Sequence, residues 1–135
     1  MQIARTAGLL LVGALAAGTV AHAAEKFPQR PVRLIVPYAP GGATDITARI
    51  LQAGISELWG QPVIVDNRPG ASGTIAVELA AKSPADGYTL QVGNVSTNAI
   101  NETTFASLKI KPSRDLIGVT NLIQLPHLWV VSTAV

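Results

Sequence analysis

The feature that most constrains this chain is a β-branched run, Val32-Arg33-Leu34-Ile35-Val36, closed by Pro37 and followed by the loop Tyr38-Ala39-Pro40-Gly41-Gly42-Ala43. A short apolar run bounded by prolines reads as a strand buried on both faces, the habit of parallel sheets. The paired glycines punctuate the chain, and from Thr44 the pattern turns helical. Ile46, Ile50, Leu51, Ile55, Leu58 and Trp59 are expected on one broad apolar stripe. Thr44 or Asp45 offers a capping oxygen, and Gly60 with Pro62 stops the helix.

The same grammar then repeats. Val63-Ile64-Val65 reads as a strand, Asp66 to Gly73 as its loop, and Thr74 to Lys82 as a short helix burying Ile75 and Leu79. Ser83-Pro84 breaks that helix, Asp86-Gly87 turns the chain, and Tyr88 to Val92 forms a third strand. Strands alternating with helices at this spacing predict βαβ crossovers and a mostly parallel α/β sheet. Beyond Gly93 the expectations are a loop opening Asn94 to Asn101 and a helical turn between Asn101 and Leu108. An extended Lys109 to Pro112, a strand over Leu116 to Leu125 and an apolar run at Leu128 to Val131 complete them. A chain stopping just after a buried-looking strand reads as cut short.

The first residues read as an export signal. Arg5 precedes the uncharged run Ala7 to Val20, and Ala21-His22-Ala23 carries small residues where a signal peptidase cuts. That run is shorter than the ~20 residues of a spanning helix. Cleavage is expected after Ala23, placing the remainder in an oxidising compartment such as a bacterial periplasm. There it would rely on packing alone, since the 135 residues include no Cys.

Composition excludes several chemistries. Without Cys there is no thiolate zinc site, iron–sulfur cluster or Cys nucleophile, and only two His are present. A formal charge of +2, dispersed along the chain, argues against nucleic-acid binding. No nucleotide-binding glycine motif occurs. Gly70-Ala71-Ser72-Gly73-Thr74 misses the second glycine of a nucleophile elbow. Asp45, Asp66, Asp86 and Asp115 sit beside turns or helix starts, where Asp is expected anyway. No catalytic constellation, metal or cofactor is expected.

Binding chemistry is more promising. In open α/β sheets, ligands sit beyond the carboxyl ends of strands, close to helix N-termini. The amides of Gly42, Ala43 and Thr44 open a helix and lack intrahelical acceptors, so a carboxylate or phosphate suits them. A plain capped turn suits the same residues. Asp45 either caps the helix start, fixes the loop, or meets an amino group of an amphoteric ligand. Arg68 is a clamp for a carboxylate or a solvated side chain. Asn94, Ser96, Thr97 and Asn98 offer short polar groups to a small solute, or make an ordinary exposed turn.

Three blocks carry a family resemblance. Phe27 to Asp45 resembles the opening of the Bug/TctC receptors, periplasmic solute-binding proteins of tripartite tricarboxylate transporters. The likeness continues through Gly60-Gln61-Pro62-Val63-Ile64-Val65-Asp66-Asn67-Arg68-Pro69-Gly70-Ala71-Ser72-Gly73 and Ser83-Pro84-Ala85-Asp86-Gly87-Tyr88-Thr89-Leu90. It implies the first lobe of a periplasmic type II binding protein, closing on a small carboxylated solute and serving membrane transporter subunits, monomeric when complete. By the same resemblance, Tyr38, Ala39, Gly41, Gly42, Ala43 and Thr44 meet the ligand carboxylate through backbone amides and ordered water, with Asp45 at the matching acidic position. Asn94 to Thr97 line the cleft. Asn101-Glu102 departs from the family's Asn-Pro. Family members are more than twice as long, so residues 24–125 are expected to be the first lobe and 126–135 the start of the second. Weak or no binding is expected of the chain alone. The rival readings are an exported hydrolase using Ser72 or an Asp pair, and a receptor remnant with no working site, or one that only presents a surface to a membrane partner or sensor.

Overall fold

The computed structural model describes residues 26–124 and residue 133. Strand β1, Val32–Val36, lies at the centre of a three-stranded sheet with β2, Val63–Asn67, on one side and β3, Thr89–Gln91, on the other. Both pairings are parallel, with Val32 opposite Val63 and Arg33 opposite Thr89. Helix α1, Ala43–Trp59, joins β1 to β2. A 3₁₀ turn, Ala71–Gly73, and helix α2, Thr74–Ala81, join β2 to β3. The α/β reading with a parallel sheet holds, and β1 falls where its proline-bounded run predicts.

Strand alternation divides the core. Val32, Leu34 and Val36 pack with Val63 and Val92 against Ala48 of α1, with Ile55, Trp59 and Leu90 at the margin. Ile35, fully buried, points to the opposite face. There α2 contacts β1 and β3. The order β2-β1-β3 sends the first crossover one way and the second back across β1. The right-handed rule then puts α1 and α2 on opposite faces. A crevice results at the carboxyl ends of β1 and β3, where the connections diverge.

Several expectations are corrected. The face that α1 turns inward is Ala48, Leu51, Ile55 and Trp59, at helical spacings of three and four. Ile46, Ile50 and Leu58 are 53%, 70% and 80% exposed. Ile46 and Ile50 lie across the helix from Ile55, so apolar character alone misassigned them. In α2 the buried residues are Ala76 and Val77, while Ile75 is half exposed and lies over Gly70.

The stretch after Asn94 is helical from Val95, as a π-helical turn, Ser96–Ile100, running into α3, Asn101–Thr104. The helical turn expected after Asn101 is therefore present, and the loop expected to open this stretch is short, ending at Asn94. Lys111 is extended, and Pro112 opens a short α4, Pro112–Asp115. No strand forms over residues 116–124; Ile117 and Val119 are 94% and 83% exposed. A β-branched run supplies propensity but not the partner edge that a ladder requires. A cleft of about 1100 Å³ separates this segment from α1 and β3. The residues expected to form an export signal, His127, the run at Leu128 to Val131 and the stretch expected to start a second lobe lie outside the described residues, apart from residue 133.

Candidate ligand-binding site

The crevice at the ends of β1 and β3 is built by three loops tied to one another. Asn67, ending β2, donates from Nδ2 to the Tyr38 carbonyl at 3.0 Å and to Asp45 Oδ1 at 2.9 Å. Asn94, after β3, donates from Nδ2 to Tyr38 Oη at 2.9 Å. The loop after β1 is thus held from both sides by side-chain amides.

The start of α1 has no side-chain cap; Gly42 is its N-cap, and its carbonyl accepts the Ile46 amide at 2.9 Å. Gly41, Gly42 and Ala43 are exposed. Among the described residues, no acceptor engages the amides of Gly42, Ala43 or Thr44. Such amides carry the helix's partial positive charge, roughly half an elementary charge.

Asp45 does not compete for them. Its side chain is buried and reaches back, so that Oδ2 accepts the Gly41 amide at 2.9 Å and Arg49 Nε at 2.9 Å. Arg49, then the Gly41 amide and Asn67, hold its carboxyl at about 2, below its ordinary value. Asp45 is the third residue of the helix, from which an acidic side chain commonly reaches back to an orphan amide. Of the alternatives open to it, loop fixing is the one observed. Gly41, expected among the cradle residues, spends its N–H internally.

In the third loop, Asn94 Oδ1 accepts the Thr97 amide at 3.0 Å, and Thr97 Oγ1 accepts the Asn94 amide at 3.0 Å. This reciprocal pair starts the helical turn. Thr97 is buried, and its hydroxyl also donates to Asn98 Oδ1 at 2.9 Å. Thr97 therefore holds the loop, while Ala43, Thr44, Asn94 and Ser96 line the cleft, whose lining does not include Tyr38, Ala39, Gly41, Gly42 or Asp45. Tyr38 is half-buried and Ala39 exposed on the connecting turn.

The second loop turns away from this chemistry. Arg68 Nε bonds Asp66, which Arg33 also engages. Burial pushes the Asp66 carboxyl up, but the two guanidinium groups prevail and keep it below the usual range. Arg68 is a structural partner rather than a free clamp. Ala71 and Ser72 adopt left-handed backbone, with φ of 44° and 54°, and Asn101 Nδ2 holds the Ser72 carbonyl at 2.8 Å. Asp86 pairs with Arg30, and Asp115 with Arg114. Arg49 escaped the sequence reading, although its four-residue spacing from Asp45 is an ordinary helix ion-pair signal.

The family model described as tripartite tricarboxylate transporter family receptor matches residues 47–135. The chain belongs to this receptor family. Protein BugT of Bordetella pertussis is 37% identical over 134 residues, covering 98% of this chain and 41% of the relative. MatC from Rhodopseudomonas palustris, solved with bound malate, is 39% identical with a TM-score of 0.63 over 66% of this chain and 30% of that one. An R. palustris protein solved with adipate is 42% identical with a TM-score of 0.62, covering 64% and 29%. The chain thus spans about two fifths of the length of BugT and less than a third of either solved chain. The family is one of solute-binding receptors and not an enzyme class, which removes the hydrolase reading. Among the described residues, no helix is long and apolar enough to cross a membrane.

Proposed function

We propose that this chain forms one wall of a binding site for a small carboxylated solute, in an exported receptor that delivers its ligand to a tripartite tricarboxylate-type transporter. The uncapped amides of Gly42, Ala43 and Thr44, at the crevice between the ends of β1 and β3, carry the reading. A helix start of this kind favours an anion without needing a basic side chain. Tyr38, Ala39, Asn94 and Ser96 shape the rim, while Gly41, Asp45 and Thr97 hold the loops in place. The malate and adipate found in two relatives support a carboxylate as the guest.

The domain reading belongs to the same proposal. Residues 1–23 are a signal peptide, 24–125 the first lobe and 126–135 the start of a second, in a receptor that is monomeric when complete. Because the resemblance implies receptors that enclose their ligands between two walls, the 135-residue chain alone binds weakly or not at all. Titration of the ¹⁵N-labelled chain with malate and with adipate tests the site. Shifts that appear are expected to concentrate on Gly42, Ala43 and Thr44; a cluster elsewhere would reject the site.

A further inference from the structure

We infer that two copies of the 135-residue chain associate by exchanging strands, residues 116–124 of each lying along the open edge of β3 in the other. The pairing is independent of the carboxylate-binding reading. β3 ends the sheet, with β1 as its neighbour. The Tyr88 carbonyl accepts the Arg33 amide at 2.8 Å, and the Val92 amide donates to the Ile35 carbonyl at 2.9 Å. Alternation along the strand therefore turns the N–H and C=O groups of Thr89 and Gln91 to the other side. Among the described residues, nothing pairs with that edge. The Gln91 side-chain amide is also buried without an acceptor. Edge strands that stay single are guarded by charge, proline or a bulge, and Tyr88 to Gly93 holds no charge and no proline.

The complementary half lies in the same chain. From Ile117 to Gln124 every residue is exposed and none belongs to a ladder. This stretch also lacks charge and proline, and as a strand it puts Ile117, Val119 and Ile123 on one face. Within one copy it does not meet β3. Its base is fixed by α4, where Ser113 donates to Glu102 and the Leu116 amide to the Pro112 carbonyl, and the cleft of about 1100 Å³ lies between. A second copy meets both needs at once. Each copy gives its segment and receives the other's, a closed two-fold pairing. Leu51 and Ile55, which line the cleft, form the apolar wall that the incoming Ile117, Val119 and Ile123 cover.

Light scattering of the chain across a concentration series, with amide hydrogen exchange, tests the pairing. The mass of two chains is expected at high concentration, with the Thr89 and Gln91 amides protected. Val119→Lys and, separately, Ile117→Lys put a charge on the exchanged face at positions 83% and 94% exposed in the single copy. Each should keep its far-ultraviolet circular dichroism, lose the protection at Thr89 and Gln91, and associate at least about tenfold more weakly. The mass of one chain at every concentration, a dimer that both variants leave intact, or an assembly larger than two chains would overturn the inference. Protection of Thr89 and Gln91 in a monomer would overturn it too, because the segment would then close on its own β3.

Discussion

Gly73 sits where the three strand-end loops converge, and replacing it with alanine measures how tightly they are packed. Its backbone lies at φ +87°, and an added Cβ would stand 2.6 Å from Thr97 Cγ2 and 3.1 Å from Pro37 Cβ. Two costs add. A side chain in this left-handed region is strained by about 1–2 kcal/mol. Overpacking a filled site costs about 1–3 kcal/mol more. Thr97 cannot swing aside freely, because its hydroxyl and amide form the reciprocal pair with Asn94. Gly73→Ala should therefore destabilise the chain by about 2–5 kcal/mol. Two neighbours separate the costs. Gly41, at φ +92° with nothing within 4 Å, pays strain alone, about 1–2 kcal/mol. Gly42, whose φ is −81°, has only the Ala39 carbonyl at 4.0 Å and should accept alanine within about 0.5 kcal/mol. Urea denaturation of the three variants gives the series by linear extrapolation. Equal losses for Gly73→Ala and Gly41→Ala would refute the packing of the loops.

The corrected face of α1 and the burial of β1 predict a contrast. Ile35→Ala, at a fully buried position, should cost about 2–5 kcal/mol, whereas Leu58→Ala, 80% exposed, should stay within about 0.5 kcal/mol in the same urea assay. Asp45 has a folded-state value of about 2 against an ordinary 3.8, so its contribution to stability is present above the ordinary value and is lost as pH falls through about 2. A carboxyl ¹³C titration should find it still ionised near pH 3, and titration near 3.8 would contradict the Gly41 and Arg49 contacts. Edman sequencing of exported material should begin at Ala24, and an intact Met1 would contradict the signal reading.

Much of the architecture was legible because backbone and periodicity carry it. Val32–Val36, bounded by proline on each side, can satisfy its buried polar groups only in a sheet. The helix starting after Gly41-Gly42 and ending at Gly60 has its punctuation written in the residues. Partner identity was not legible. The exposed Ile46 and Ile50 look as apolar in sequence as the packed Ile55, and only the small Ala48 marks where the helix meets the sheet. Residues 116–124 are β-branched in part, yet strand formation depends on an edge elsewhere. At the candidate site, the glycine pair before the helix was evident, whereas the role of Asp45 turned on Arg49 and Asn67, one helical turn and one strand away.

The central claim is that the first amides of α1 receive a carboxylate. A crystal structure of the chain grown with malate tests it most directly. The account predicts a malate carboxylate within hydrogen-bond distance of the Gly42, Ala43 and Thr44 amides, with Asp45 still bonded to Gly41 and Arg49. Malate bound at another place, with those three amides facing solvent, would contradict it.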